Sequence, residues 1–274
     1  MRPQRSSEGT RNHIGAKRFP AAWNLLAALT VALVAAAWSA GAAPAPAVKN
    51  IVLVHGAFAD GSSWARLIPI LQAKGYSVTA VQIPLTSLAD DVAATRRALA
   101  LQNGPVILVG HSWAGVVITE AGTDPKVAGL VYVAAFAPDR GEALGELGKP
   151  YPAPPVVPIA DKQGFLSLST DTVVKHFASD LPEKEARVVA AVQGPISASA
   201  FGAQVSAAAW KTKPSWYVVS ALDEAIAPDE ERFFARRMKA TTTELKASHL
   251  AMLSKPNEVA AVIIDAATKA GRGR

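Results

Sequence analysis

VILVGHSWAG, at residues 106–115, is a run of four apolar residues followed by a glycine, a histidine and a serine. A short apolar run is typical of a strand that is buried on both faces of a parallel sheet. A helical pattern then continues as far as Glu120. Ser112 therefore lies on a tight turn from strand to helix, where a strained backbone exposes the hydroxyl and aims the next N–H at a reacting carbonyl. This turn predicts a nucleophilic serine.

One position departs from the common pattern of such a turn, which has glycine two residues before and two residues after the serine. Gly110 fits, but the later position holds Ala114, with Gly115 one residue further on. Alanine is the smallest replacement for glycine, so we expect the turn to be kept. The alternative is a glycine-rich turn in which Ser112 only caps the helix.

Apolar runs and amphipathic stretches alternate on both sides of this turn. Strands are predicted at residues 51–54, 77–81, 106–109, 127–136, 216–219 and 242–246. Helices are predicted at residues 64–74, 88–102, 228–238 and 257–270. This alternation predicts an α/β fold with a mostly parallel central sheet of about six strands and helices on both faces.

Residues 138–214 interrupt the alternation. Five prolines lie between positions 150 and 158, and two helical stretches follow near residues 172–177 and 182–192, with no strand pattern between them. We interpret this segment as a small helical cap inserted over one edge of the sheet. It would belong to a single domain that covers residues 50–274.

Residues 1–42 have the pattern of a secretory signal peptide. Basic residues precede the stretch 25–38, which is apolar except for Thr30, and Ala40-Gly41-Ala42 is a suitable cleavage site. With residues 43–49 as a linker, the mature protein is expected to be periplasmic or secreted, without stable membrane insertion. The alternative is an uncleaved anchor, because the apolar stretch approaches the roughly 20 residues that span a bilayer.

Composition excludes several classes of protein. The 274-residue chain has no cysteine, so disulfides and all cysteine-based catalytic or metal sites are excluded. Its net charge is +6, but residues 1–42 hold five of the 28 basic residues and one of the 22 acidic residues. The remainder is close to neutral and gives no support to nucleic-acid binding. Metal and nucleotide motifs are absent, so neither a metal nor another cofactor is expected.

Two further strand ends carry reactive groups, and the carboxyl ends of parallel strands are where functional loops lie. Asp223 follows the fifth predicted strand and His249 follows the sixth. Ser112, Asp223 and His249 thus stand in the chain order nucleophile, acid, base. His249 is predicted to take the proton of Ser112, and Asp223 to fix the tautomer of His249. The rival acid is Asp139, just after the fourth strand.

The loop after the first strand, HGAFADG at residues 55–61, is expected beside the serine turn. The backbone N–H groups of Ala57 and Trp113 are predicted to form a two-donor oxyanion hole. His55 precedes the glycine of this loop, so we expect it to order the loop by hydrogen bonds and not to act as the base. His111 and His176 do not fit the role of the base either.

Four motifs together resemble α/β-hydrolases of the serine esterase type: VHGAFADGSSW, VGHSWAG, the Asp223 loop with Ile226 and Pro228, and SHLAMLSKP. More narrowly, the chain resembles the small-cap group of plant methyl esterases and hydroxynitrile lyases, with their bacterial relatives. The resemblance covers residues 50–268, strongly at the motifs and poorly in the cap. It implies the α/β-hydrolase fold and a shallow apolar pocket between cap and sheet.

Two positions separate hydrolases from lyases within that group. The lyases carry a lysine directly after the catalytic histidine and a hydroxyl residue after the first-strand histidine. Leu250 and Gly56 occupy these positions here, so hydrolysis is expected. A serine nucleophile in place of an aspartate also disfavours dehalogenase and epoxide hydrolase chemistry.

We therefore expect a serine-dependent carboxylic ester hydrolase that acts through an acyl-enzyme on a small, largely uncharged ester. Phe58 and Phe165 are the candidate substrate contacts. Two alternatives stay open: hydrolysis of a lactone, amide or carbon–carbon bond on the same triad, and a non-catalytic ligand-binding homologue. The expected partner is a small-molecule substrate, and the protein would be a monomer or a homodimer.

Overall fold

A six-stranded parallel sheet organises residues 48–270, the part of the chain that the computed structural model describes. Its strands are β1 (Asn50–Val54), β2 (Ser77–Val81), β3 (Val106–Ser112), β4 (Val127–Ala135), β5 (Ser215–Ser220) and β6 (Thr241–Leu245). They lie in the order β2-β1-β3-β4-β5-β6, and all neighbours pair in parallel. The α/β-hydrolase fold with a parallel sheet of about six strands is confirmed.

Helices connect the strands and cover the sheet. The longer ones are α1 (Leu67–Ala73), α2 (Leu88–Ala100), α3 (Ala114–Ala121), α4 (Glu183–Val192), α5 (Pro228–Arg237) and α6 (Pro256–Ala270). The connection from β1 to β2 through α1 runs toward one edge of the sheet. The connections from β2 to β3 through α2 and from β3 to β4 through α3 run toward the opposite edge. Right-handed crossovers therefore place α1 on one face and α2 and α3 on the opposite face. Since α6 packs against α1, both faces are covered.

Local sequence signals explain where these helices begin and end. The Ser87 hydroxyl accepts a hydrogen bond from the N–H of Asp90 at 3.1 Å and so caps the start of α2. After α1, Gly75 has φ +80°, a left-handed conformation that suits glycine and ends the helical turn.

The centre of the sheet positions the serine turn. Every residue of β3 and β4 is buried, as expected for strands covered on both faces. In the pairing of β1 with β3, Val54 lies opposite Gly110. β3 therefore runs past the end of β1 and carries His111 and Ser112 to the edge of the sheet. The predicted strand was too short because its apolar run ends at Val109, while the backbone continues as a strand through polar residues.

The segment between β4 and β5 differs from the sequence prediction. Helical stretches are present near the expected places, as Thr170–Thr172, a π-helical turn at Val173–Phe177, and α4. The segment also contains a three-stranded antiparallel sheet, which was not predicted, formed by Ile159–Ala160, Phe165–Ser167 and Ile196–Ser197. Strands of two or three residues are too short to show an alternating pattern, so the expectation of helices alone was wrong.

The predicted signal peptide, residues 1–42, lies outside the described residues, as does most of the predicted linker. Between residues 48 and 270, no helix combines the length and the apolar character needed to cross a membrane.

Candidate active site

Ser112 lies at the carboxyl end of β3, on a strained turn into α3. Its φ is +53°, in the left-handed region that residues with a side chain rarely adopt. A Cβ added at Gly110 would lie 2.7 Å from the carbonyl oxygen of Ala114, and one added at Gly115 would lie 2.0 Å from that of Phe136. The turn thus needs glycine at positions 110 and 115. The two close approaches that require glycine fall at positions 110 and 115, while position 114 holds alanine.

His249 and Asp223 form a buried pair on the loops after β6 and β5. The Nδ1 of His249 lies 2.5 Å from Oδ2 of Asp223, and both side chains are at most 1% exposed. The other carboxylate oxygen, Oδ1, accepts the N–H groups of Ala225 at 2.7 Å and Ile226 at 3.0 Å. These bonds fix the plane of the carboxylate, which in turn holds the proton of His249 on Nδ1.

The opposite nitrogen of His249 is available for proton transfer. Its Nε2 is buried and has no hydrogen-bond partner within residues 48–270. His249 and Ser112 line the same cavity. The structure therefore brings Ser112, Asp223 and His249 together at adjacent loops, as their order along the sequence suggested.

Asp139, the rival acid, is engaged elsewhere. Its carboxylate pairs with the Nζ of Lys211 at 2.6 Å. This hydrogen bond is the main cause that lowers the pKa of Asp139. The partner of His249 is therefore Asp223.

His55 has both ring nitrogens occupied by backbone groups. Its Nδ1 donates to the carbonyl oxygen of Gly56 at 2.9 Å, and its Nε2 accepts the N–H of Ile83 at 3.2 Å. His55 thus orders the loop after β1, as predicted, and has no nitrogen left to act as a base.

His111 contacts His249 through a hydrogen bond and through its ring. Its Nε2 donates to the carbonyl oxygen of His249 at 3.0 Å, and the two ring centroids are 4.6 Å apart. Burial lowers the pKa of His111 well below 6.5, so the ring is neutral. It places no charge beside the base. No local sequence pattern indicates this contact, because it joins residues far apart in the chain.

The predicted oxyanion donors lie around Ser112. A Cβ at Gly56 would lie 2.7 Å from the Cβ of Ser112, so the backbone that leads to Ala57 approaches the serine closely. Ala57 and Trp113 are buried and line the cavity with Ser112. In the described part of the chain, neither N–H is used in a loop or turn hydrogen bond. Both are available to a developing oxyanion.

Trp113 is anchored through its side chain. Its indole Nε1 donates to Oδ2 of Asp91 at 2.8 Å, and the other carboxylate oxygen accepts the N–H of Leu85 at 2.8 Å. Burial raises the pKa of Asp91 to about 6 in spite of these bonds. The anchor holds the start of α3, and with it the Trp113 N–H, in place.

The cavity beside Ser112 has a volume of about 280 Å³ and a mainly apolar wall. Phe58 lines it, as predicted. Phe165 is not among the residues that line this cavity; it pairs with Ser197 within the small antiparallel sheet, and its role as a substrate contact stays a prediction. The aromatic residues that do line the wall, besides Phe58 and Trp113, are Phe136, Phe177 and Phe201.

Two contacts tie the segment between β4 and β5 to the catalytic loops. Asp180 accepts the N–H of Ser248 at 2.9 Å and also its hydroxyl. The ring of Phe177 lies 4.8 Å from that of His249, centroid to centroid. The segment that encloses the cavity thereby also positions the base.

Two buried glutamates begin α5, beside the Asp223 loop. Glu231 accepts the N–H of Ser220 at 3.0 Å, and burial together with the Asp223 carboxylate raises its pKa well above the ordinary value. Burial, and to a smaller extent Asp223, raises the pKa of Glu230 to about 7. Sequence reasoning missed both residues, because three acids in a row are typical of an exposed first helical turn.

A profile of the alpha/beta hydrolase family matches residues 51–262, a range that contains all three residues of the site. The chain belongs to the alpha/beta hydrolase family. Relatives of this alpha/beta hydrolase include plant methylesterases and a bacterial hydrolase. They agree with the resemblance of its motifs to the small-cap methyl esterase group. Within the described residues, no group of three or more His, Asp or Glu side chains is arranged to hold a metal ion.

Three comparisons illustrate the similarity. Salicylic acid-binding protein 2 of Nicotiana tabacum is 33% identical over 114 residues, which are 33% of this chain and 41% of that protein. The carbendazim hydrolyzing esterase of Nocardioides sp. is 32% identical over 140 residues, 45% of this chain and 57% of that protein. The matched part of the chain thus spans less than two thirds of either relative. A pyrethroid hydrolase structure from Sphingobium faniae has a TM-score of 0.69 at 23% identity, covering 81% of this chain and 98% of that one, which shows a shared fold.

Proposed function

We propose that this alpha/beta hydrolase is a carboxylic ester hydrolase in which Ser112, His249 and Asp223 form the catalytic triad. One observation carries the proposal: the buried pair of Asp223 and His249 leaves Nε2 of His249 unpartnered in the cavity that Ser112 lines. A histidine held in this tautomer can accept a proton from a serine hydroxyl. The relatives named as esterases and hydrolases support the same reaction class.

The reaction would proceed through an acyl-enzyme. The Oγ of Ser112 attacks the ester carbonyl carbon while its proton passes to Nε2 of His249. The N–H groups of Ala57 and Trp113 stabilise the oxyanion. The C–O bond to the alcohol then breaks, and His249 protonates the departing oxygen. Water, deprotonated by His249, attacks the acyl carbon, and the carboxylic acid leaves as Ser112 regains its proton.

Two positions favour hydrolysis over the lyase reaction. Leu250, directly after His249, is completely buried, so this position belongs to the core. A side chain at Gly56 would collide with Ser112, because its Cβ would lie 2.7 Å from the Cβ of the serine. The site therefore lacks the lysine and the hydroxyl residue that the lyases carry at these positions.

The experiment is labelling with a fluorophosphonate, read by intact mass, on the parent, Ser112→Ala and Ser63→Ala. Ser63 is the matched control, because it is also buried but donates its hydroxyl to the carbonyl of Asp60 at 2.8 Å. One adduct is expected on the parent and on Ser63→Ala, and none on Ser112→Ala. Ester hydrolysis by Ser112→Ala should fall by a factor on the order of 10⁴ or more.

Two results would contradict the proposal. Ser112→Ala that hydrolyses esters at the parental rate would exclude Ser112 as the nucleophile. A folded parent that takes no label and hydrolyses no ester would favour the ligand-binding alternative.

We also propose export to the periplasm or the medium, supported by the basic start and apolar stretch within residues 1–42. N-terminal sequencing of the protein purified from its host tests this. A new N-terminus near residue 43 is expected, and an intact N-terminus in the membrane fraction would favour the uncleaved anchor.

A further inference from the structure

The wall of the cavity contains one buried polar group that the proposed mechanism does not use. In residues 48–270, two residues that line the cavity have a buried polar atom without a hydrogen-bond partner: His249 at Nε2 and Glu230 at Oε1. The first is explained by proton transfer. Glu230 is only 3% exposed and belongs to no step of the triad.

Within residues 48–270, no lysine or arginine forms an ion pair with this carboxyl group. Lys149 also lines the cavity, but its Nζ pairs with Glu146 at 2.5 Å and its side chain is 65% exposed. Arg237, on the same helix as Glu230, pairs with Glu142 at 2.9 Å. A buried carboxyl group without a partner costs free energy of folding. A catalytic role, an ordered water or a bound ligand can account for such a group.

The position of Glu230 on α5 does not account for its burial. An acid in the first turn of a helix is favoured by the helix dipole, but an exposed acid gains the same interaction. Asp229, its neighbour, supplies this charge with its side chain 82% exposed. Glu230 lines the cavity together with Gly148, where an added Cβ would come into ordinary van der Waals contact with Oε2 of Glu230 at 3.9 Å.

We propose that Glu230 is a specificity residue that accepts a hydrogen bond from an N–H group, an amine or N–H heterocycle, on the part of the ester remote from the reacting carbonyl. This inference rests on the proposed esterase function. An ionised carboxylate only accepts hydrogen bonds, so a ligand that favours the ionised form of Glu230 must present a donor. A donor-free alkyl group would leave Oε1 unpaired, and an anionic group would meet a like charge. Such a group would add a hydrogen-bond donor to the small, largely uncharged ester that the sequence predicts.

The electrostatics of the site agree with this assignment. Burial and the nearby Asp223 raise the pKa of Glu230 to about 7, so both protonation states are accessible near neutrality. A protonated amine would stabilise the carboxylate form by a charge-assisted hydrogen bond. The substrate would then supply the counter-charge of Glu230.

Three para-substituted methyl benzoates of similar size test the inference: the aminomethyl, the ethyl and the carboxylate compound. The parent is expected to prefer the aminomethyl ester over the ethyl ester by roughly 10- to 100-fold in kcat/KM, and to reject the carboxylate. Glu230→Gln should bring the aminomethyl-to-ethyl ratio close to one. Asp229→Asn, a matched change at the adjacent exposed acid, should keep the parental ratio.

A second readout does not depend on turnover. Benzylamine should raise the Tm of the parent. In Glu230→Gln, the rise in Tm with benzylamine should be no larger than the rise with toluene. Fluorophosphonate labelling of the parent with equal ester preferences in parent and Glu230→Gln would overturn this inference and leave the esterase function standing. A Glu230-dependent rise in Tm without labelling or ester hydrolysis would support the amine site and overturn the esterase function. No Tm difference and no change in ester preference would overturn the inference.

Discussion

Replacing Asp223 by asparagine should disable the base by reversing its tautomer. The N–H groups of Ala225 and Ile226 both donate to Oδ1 of Asp223. In the variant, these two donors require the amide oxygen at the Oδ1 position, which places the amide NH₂ where Oδ2 now faces Nδ1 of His249. Two donors cannot face each other, so Nδ1 becomes the acceptor and the proton moves to Nε2. His249 then cannot accept the proton of Ser112.

The expected loss is large because the wrong tautomer dominates. Reversal of this tautomer in a serine triad lowers kcat by a factor of about 10⁴, which corresponds to about 5.5 kcal/mol of transition-state stabilisation. The assay is the rate of fluorophosphonate labelling and of ester hydrolysis at pH 7 for Asp223→Asn. Circular dichroism shows that the variant is folded.

Asp139→Asn is the matched control, since Asp139 pairs with Lys211 outside the triad. It should keep the labelling rate within about threefold of the parent, as expected for a change remote from the reacting atoms. A folded Asp223→Asn that is within tenfold of the parent would refute the argument from the two backbone donors. A loss of 10³-fold or more in Asp139→Asn would refute the assignment of the acid.

The remaining predictions concern stability. Gly115→Ala should lower the free energy of unfolding by about 3 kcal/mol, because its Cβ would lie 2.0 Å from the carbonyl oxygen of Phe136. Gly202→Ala, where nothing lies within 4 Å, should change it by less than about 0.5 kcal/mol in the same urea titration. Burial raises the pKa of Glu230 from 4.5 to about 7, so the folded protein is more stable with Glu230 protonated than with it ionised. This contribution to the free energy of unfolding is fully present below pH 4.5 and is lost as the pH rises through 7. Glu230→Gln should therefore lose less stability than the parent between those pH values, by up to about 3 kcal/mol, and parallel curves would contradict this.

The sequence predicted the parts of the site whose placement follows from topology. Ser112 ends a strand, Asp223 and His249 each follow one, and parallel strands bring their carboxyl ends to one edge of the sheet. The rejection of His55 as the base followed from its position before the loop, and its two backbone hydrogen bonds agree. These inferences needed only local patterns and the order of elements along the chain.

The wall of the cavity could not be predicted in this way. Phe165 and Phe177 are both aromatic residues of the segment between β4 and β5, but only Phe177 lines the cavity. The difference depends on strands of two or three residues, whose pairing is set by contacts distant in sequence. Glu230 was missed for a related reason, because its burial depends on packing that the acidic run at residues 229–231 does not reveal.

The segment that shapes the cavity is also part of the framework that holds the base. Asp180 binds Ser248 through both its N–H and its hydroxyl, and Phe177 packs on His249. Specificity and catalysis therefore share structural supports, since a rearrangement of this segment that admitted a different substrate would also move the His249 loop. Changes in specificity at low catalytic cost should come from wall residues that do not bind the His249 loop. In the described part of the chain, Glu230 is such a residue, and its Oε1 has no hydrogen-bond partner.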